Sequence, residues 1–131
     1  MDIVITQEAF NSYLDLKHRA VISRSLYQKK LRPDIWLLRN YPGPTKFQNG
    51  KFWSPASGRR GVIRNGFKMK WHNIGPGRVQ LRLPVGIING TGYLSRAYVK
   101  DSEKKEKRQM ARFDAHLMRI RNGIVDEVTR L

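Results

Sequence analysis

Basic side chains alternate with apolar ones through the stretch between residues 66 and 100. The alternation is clearest over residues 66–72 and 77–83, and it continues less regularly over residues 93–100. Because the period is two, successive side chains of a strand would point to opposite faces of a sheet. One face is therefore predicted to be apolar. The other, named here the polar face, would carry Lys68, Lys70, His72, Arg78, Gln80, Arg82, Arg96, Tyr98 and Lys100.

The polar face is predicted to bind an anion. Seven of its nine residues are Lys, Arg or His, and none is acidic. Like charges on neighbouring strands destabilise a sheet by about 0.2–1 kcal/mol per pair, so their crowding favours a bound anion. The chain has 26 Lys and Arg against 10 Asp and Glu, a formal net charge of +16. Nucleic acid is the leading candidate partner, an acidic protein is compatible, and a merely solvated sheet face is the alternative.

RNA cleavage is one chemistry that such a face could support. It needs a base for the 2′-hydroxyl, positive charge around the phosphorane and an acid for the leaving 5′-oxygen. A lysine could be the base only if its neighbours lower its pKa, and clustered cations act in that direction. His72 competes for an acid or base role, with a solvated turn histidine as the alternative. Further candidates for nucleic-acid contact are Arg59 and Arg60, in a glycine-flanked loop, and Lys104.

Several other classes of protein are excluded by composition. The chain contains no cysteine, so it has neither a disulfide scaffold nor a thiolate metal site. Its acids and histidines show no paired-carboxylate or metal-ligand spacing, and we expect no metal or cofactor. No apolar run approaches the roughly 20 residues needed to span a bilayer, so a cytoplasmic protein is the simplest interpretation.

The first third of the chain is predicted to be a strand followed by helix. Residues 3–5 are β-branched and indicate a strand, and Thr6 can cap a helix behind it. We expect helix over about residues 7–31, with a break near Ile22-Ser23 left open. Arg32-Pro33 should end it, because the residue before proline is pushed out of the helical region. Residues 34–40 could add one or two helical turns.

Residues 41–64 are rich in Pro, Gly, Asn and Ser, and they are predicted to be largely irregular. Within them, Asn49-Gly50 is a hairpin signal. Phe47, Phe52 and Trp53 flank that signal, and two interpretations stay open for these aromatic residues. They either cover one end of the core or form a platform on which nucleic-acid bases stack.

Three antiparallel strands and a final helix are predicted to follow. Pairing Trp71 with Val79 keeps both apolar rows on one face. Strict pairing back from the next turn would mix the faces, so a bulge is expected at residues 84–86. The last helix should run from Asp101 or Ser102 to about residue 122, with residues 103–109 in solvent. The apolar rows should be covered by the first and last helices. The residues of the last helix expected to pack on the protein are Met110, Phe113, Leu117 and Ile120.

These elements predict a small α+β domain over residues 1–131. Its antiparallel sheet would have about four strands, in the chain order β-α-α-β-β-β-α, packed by N- and C-terminal helices. This order, the basic charge and the Lys-x-Lys of Lys68 and Lys70 on the first sheet strand resemble the RelE/ParE superfamily of bacterial toxins. The resemblance covers residues 3–122 and is one of topology and pattern, without a short diagnostic motif.

The resemblance implies a function and a partner. Such families include ribosome-dependent mRNA endonucleases and relatives that poison DNA gyrase, and they are typically neutralised by an acidic antitoxin. By resemblance, Lys68, Lys70 and Arg78 would be catalytic, with Tyr98 or Lys100 supplying the remaining group. The C-terminal tail has no Tyr or His, where several such toxins carry catalytic groups. A non-catalytic nucleic-acid-binding module or a ParE-like gyrase inhibitor therefore stays open as the alternative.

Overall fold

The computed structural model describes residues 1–131. The first half of the chain forms β1 (Asp2–Thr6), α1 (Gln7–His18), α2 (Arg24–Leu26), a π-helix (Tyr27–Leu31), α3 (Arg32–Trp36) and two 3-10 helices (Leu37–Asn40 and Thr45–Gln48). The second half forms β2 (Trp53–Gly58), β3 (Gly61–Ile74), β4 (Val79–Ile88), β5 (Thr91–Leu94), β6 (Tyr98–Val99), α4 (Glu103–Arg121) and β7 (Glu127–Arg130). None of the helices has both the length and the apolar character that crossing a membrane requires.

The first helix begins where the sequence predicts and ends earlier. The Thr6 hydroxyl oxygen accepts a hydrogen bond from the Ala9 amide at 3.2 Å, which caps α1. α1 stops at His18, and Ala20 then takes a left-handed conformation with φ of 58°. Ser23 caps the next helical residues by accepting from the Leu26 amide at 3.0 Å. A helix over residues 7–31 is therefore wrong, and the break that was left open is present.

Residues 24–40 form one continuous run of helical turns, named here the second helical segment. Arg32 keeps helical angles, φ −60° and ψ −44°, although Pro33 follows it. Its amide bonds to the Tyr27 carbonyl five residues back, which closes the π-helix. Pro33 then stands at the start of α3, directly after the π-helix, where the i to i−4 hydrogen-bond pattern is already interrupted. The prediction that Arg32-Pro33 ends the helix is wrong for this reason.

The sheet confirms the α+β class but is larger than expected and mixed. Its strand order is β2-β3-β4-β5-β1-β7, and β6 also pairs with β4. β1 runs parallel to β5, whereas the other pairs are antiparallel. The prediction of about four antiparallel strands is wrong in number and in direction. The residues of β2 and of β7 also form strands, the last predicted strand is divided into β5 and β6, and β1 pairs with β5 in parallel.

The Asn49-Gly50 signal does not make a hairpin. Residues before it form a 3-10 helix, and the true hairpin joins β2 to β3 through Arg59 and Arg60, with Gly58 paired to Gly61. Phe47, Phe52 and Trp53 are all buried and pack against one another. Of the two interpretations of these aromatic rings, burial favours a core role over a base-stacking platform.

The pairing within the sheet corrects two predicted registers. Trp71 pairs with Leu81, not with Val79, and this two-residue difference leaves the faces unchanged. The ladder through residues 84–86 is regular, so the bulge predicted there is wrong. The extra residue lies instead among residues 95–97, which connect β5 to β6. Val85 pairs with Leu94 while Arg82 pairs with Tyr98, so this side has one residue more than β4. Tyr98 therefore shares a face with Arg82, as the predicted bulge was meant to achieve.

Helices cover both faces of the sheet. The apolar rows pack against α1 and the second helical segment in one core. α4 lies on the opposite face, where Phe113 and Leu117 build a second core, so the prediction that the last helix covers the apolar rows is wrong. Gly66 and Gly86 explain this placement: a Cβ there would meet Phe113 at 2.9 Å and Leu117 at 2.2 Å. Only glycine lets the helix approach this closely.

Candidate nucleic-acid interface

The carboxylate of Glu106, on α4, stands over the polar face and contacts two of its residues. The Lys68 ammonium donates to Glu106 Oε1 at 2.7 Å, and the Tyr98 hydroxyl donates to Glu106 Oε2 at 2.5 Å. The side chains of Lys68 and Glu106 are only 17% and 15% exposed. The structure therefore brings two predicted catalytic residues together around an acid that the sequence analysis did not single out.

The position of Glu106 follows from the start of α4. Ser102 caps the helix by accepting from the Lys105 amide at 3.2 Å, so Glu106 lies in the first turns, where a negative charge is favourable. Residues 106, 110, 113 and 117 recur at spacings of four and three, which places Glu106 on the same side of the helix as Met110 and Phe113. That spacing was the available signal for Glu106, and it contradicts the prediction that residues 103–109 all stand in solvent.

The pKa values of Glu106 and Tyr98 are shifted in opposite directions. Burial alone would raise the pKa of Glu106, but hydrogen bonds from Lys68 and Tyr98 outweigh burial and hold the pKa below its usual value. Burial raises the pKa of Tyr98 far above its usual range, and the bond to the Glu106 carboxylate adds to this. Glu106 is therefore ionised, and Tyr98 stays a hydroxyl donor at any physiological pH.

The pKa of Lys70 lies below the usual value of a lysine. Burial lowers its pKa, and the charges of Lys68, Arg82 and Lys100 lower it further, with Glu106 acting in the opposite direction. Its ammonium donates to the Gly50 carbonyl at 2.7 Å. Together these residues define the Glu106 cluster: Lys68, Lys70, Arg82, Tyr98, Lys100 and Glu106.

Two members of the Glu106 cluster, Arg82 and Tyr98, are buried. Arg82 is 6% exposed, and its guanidinium donates to the carbonyls of Trp71 at 3.3 Å and Leu81 at 3.2 Å. Burial also lowers its pKa. Tyr98 is 3% exposed. Neither side chain offers much surface to a ligand. Tyr98 is therefore a positioning residue for Glu106, and Arg82 contributes positive charge without contacting a ligand.

Other predicted residues lie outside the Glu106 cluster. Arg78 does not open a strand: it stands exposed in the turn before β4 with φ of 48°, and its side chain makes no hydrogen bond. Arg96 is half-buried in the irregular residues between β5 and β6. His72 is held in place, with Nε2 donating to the Lys51 carbonyl at 2.5 Å and Nδ1 3.0 Å from the Gln80 side chain.

Open depressions lie on either side of Glu106. One of about 850 Å³, named here the hairpin groove, runs between the β2–β3 hairpin and α4. Its cationic residues are Arg59, Lys104, Lys107 and Arg108. The other, of about 510 Å³, is lined by His72, Arg82 and Lys100 together with acidic residues of the α4 start. Arg60 is exposed at the hairpin tip beside the hairpin groove.

No group of three or more His, Asp or Glu side chains is arranged to hold a metal ion. Comparison of the chain with models of protein families, with curated proteins and with solved structures found no match. The resemblance to the RelE/ParE superfamily stays a prediction.

Proposed function

We propose that the chain binds RNA across the Glu106 cluster and cleaves it without a metal ion, as a RelE-like toxin neutralised by an acidic antitoxin. The observation that carries the proposal is the ion pair of Lys68 with the ionised Glu106 carboxylate, on a face that also carries Lys70 and Lys100. The charges of Lys68 and Lys100 help to lower the pKa of Lys70. A base, surrounding cations and a lysine with a lowered pKa are the groups that cleavage requires. The substrate in this proposal is mRNA, either free or on the ribosome.

The reaction uses two members of the Glu106 cluster whose pKa values are lowered, Glu106 and Lys70. The Glu106 carboxylate accepts the proton of a ribose 2′-hydroxyl, and the 2′-oxygen attacks the adjacent phosphorus. The bond from phosphorus to the 5′-oxygen breaks, and the Lys70 ammonium donates a proton to that oxygen. The products are a 2′,3′-cyclic phosphate and a free 5′-hydroxyl. A lowered pKa makes Lys70 a stronger acid than an ordinary lysine. Glu106 is ionised and can accept a proton, although its lowered pKa makes it a weaker base than an ordinary glutamate.

The remaining cations serve the phosphates. Lys68 and Lys100 stabilise charge on the phosphorane, and Tyr98 positions Glu106 from below. The hairpin groove offers Arg59, Lys104 and Lys107 to the phosphates on one side of the cleaved bond. Backbone contacts of this kind carry most of the affinity and little sequence information.

One observation favours a second candidate function. Glu106 already satisfies Lys68 and Tyr98, and Arg82 already donates to backbone carbonyls. Contacts of this kind also occur in a purely structural ion pair that anchors α4. In that case the surface would bind nucleic acid without cleaving it, or the chain would inhibit DNA gyrase as a ParE-like protein.

Induction in a bacterial host tests the proposal. Wild type should arrest growth and cleave mRNA on translating ribosomes, and Glu106→Gln and Lys70→Met should do neither. Glu103→Gln is the matched control because Glu103 lies one turn earlier on α4, is exposed and forms no ion pair. Circular dichroism must show that each variant folds. DNA breaks without RNA cleavage would support the gyrase inhibitor, and RNA binding without growth arrest would support the binding module.

A further inference from the structure

An apolar cavity of about 230 Å³ lies on the side of the sheet away from the Glu106 cluster. It is partly open to solvent and is bordered by α1, the second helical segment and the apolar rows of β3 and β4; 14 of its 15 lining residues are hydrophobic. Leu16, Ile35 and Trp71 are among them, and all three are buried. The cavity is therefore part of the main core, where close packing is the rule.

A void of this size is unusual in a chain of 131 residues. Protein cores hold few voids larger than a water molecule, and an apolar void forfeits packing contacts on every wall. Water gains little there, because it needs two to four polar partners and the cavity offers almost none. An apolar cavity of about 150 Å³ is enough to bind benzene, and this one is larger.

The cavity has an opening at the surface. Phe10, on its wall, is 37% exposed, and Thr129 of β7 is exposed beside it. Tyr13 and Tyr27 are half-buried lining residues whose rings meet edge to face, with centroids 4.9 Å apart. A small molecule can enter between these side chains.

We propose that the cavity binds a neutral, apolar small molecule with about one aromatic ring and a short alkyl chain. No Asp, Glu, Lys, Arg or His side chain lines the cavity. The polar side-chain groups on its wall are the hydroxyls of Tyr13, Tyr27 and Thr129 and the indole N–H of Trp71, which already donates to Asp34, so a charged ligand would lack a partner. A peptide segment is too large for this volume. The site lies on the other face of the sheet from Glu106, so this inference is independent of the proposed RNA cleavage.

Binding of toluene and n-propylbenzene tests the inference. At about ten times Kd, mass action should raise the Tm of wild type by about 5 °C. Ala9→Leu adds a larger side chain to the cavity wall and should raise Tm without ligand, while weakening toluene binding at least tenfold. Ala115→Leu is the matched control: it makes the same change at an exposed position of α4 and should bind toluene as wild type does.

Methyl NMR gives a readout that does not depend on stability. Toluene should shift the methyl signals of Ile22, Leu31 and Ile35, which line the cavity, and leave Ile63 and Ile120 of the second core unchanged. Shifts confined to the second core, no shift up to the solubility limit, or unchanged affinity in folded Ala9→Leu would each overturn the inference. Free small molecules would also have no effect if the true occupant were an apolar side chain of a partner protein.

Discussion

Replacing Glu106 with Gln should lower stability by about 2 kcal/mol. The change keeps the shape of the side chain and an acceptor for Tyr98, but it leaves the poorly exposed Lys68 ammonium without its anion. Hydrogen bonds to charged groups contribute about 1.5–3 kcal/mol, whereas fully exposed ion pairs contribute less than about 1 kcal/mol. A value near 2 kcal/mol corresponds to a Tm about 8 °C lower for a chain of this length.

Thermal and urea unfolding should be compared for wild type, Glu106→Gln and the exposed control Glu103→Gln, which should lie within about 0.5 kcal/mol of wild type. A double-mutant cycle with Lys68→Met isolates the pair, and its coupling energy should be about 1.5–2 kcal/mol. The reasoning is refuted if Glu106→Gln costs no more than the control, or if the coupling falls below about 0.5 kcal/mol.

Three further results are expected. The folded pKa of Glu106 lies below its unfolded value of 4.5, so its stabilisation is complete above that pH and is lost as the pH falls through the folded pKa; acid titration should make wild type and Glu106→Gln converge. Gly86→Ala should cost about 2 kcal/mol in urea unfolding, because its Cβ meets buried Leu117, whereas Gly50→Ala, with open space, should be nearly neutral. Lys104→Ala should reduce the slope of log affinity for RNA against log salt by about one, and an unchanged slope would remove the hairpin groove from the interface.

The period of two was enough to predict the faces of the sheet. The assignment of side chains to faces depends only on local geometry. It therefore stayed correct although the predicted pairing of Trp71 was off by two residues and the extra residue near Tyr98 was misplaced. The cap at Thr6 was predictable for the same reason, because capping is decided within a few residues.

Tertiary packing decided what the local patterns could not. The apolar stripe of α4 predicts that the helix packs, but not on which face of the sheet it lies. Gly66 and Gly86 decide this, because they leave the space that Phe113 and Leu117 fill. Glu106 was overlooked because a charged residue in a run of charges resembles a solvated face. Its position becomes clear only when α4 lies over Lys68.

The prediction that residues 41–64 are largely irregular failed at β2, because its Pro and Ser residues are typical of loops. Pro55 is tolerated because β2 is an edge strand of the sheet. Arg78 was placed on the polar face by extending the alternation one residue beyond its end. Its left-handed backbone belongs to the turn, and no pattern of alternating side chains carries that information.

The most direct test of the central claim is the chemistry of the RNA ends. Purified protein should be incubated with end-labelled single-stranded RNA in EDTA, beside Glu106→Gln and Glu103→Gln. The account predicts 2′,3′-cyclic phosphate and 5′-hydroxyl ends with wild type and Glu103→Gln, and at least a hundredfold slower cleavage with Glu106→Gln. Two results would contradict it: RNA left intact by folded, RNA-binding wild type both in this assay and on translating ribosomes, or equal cleavage by Glu106→Gln.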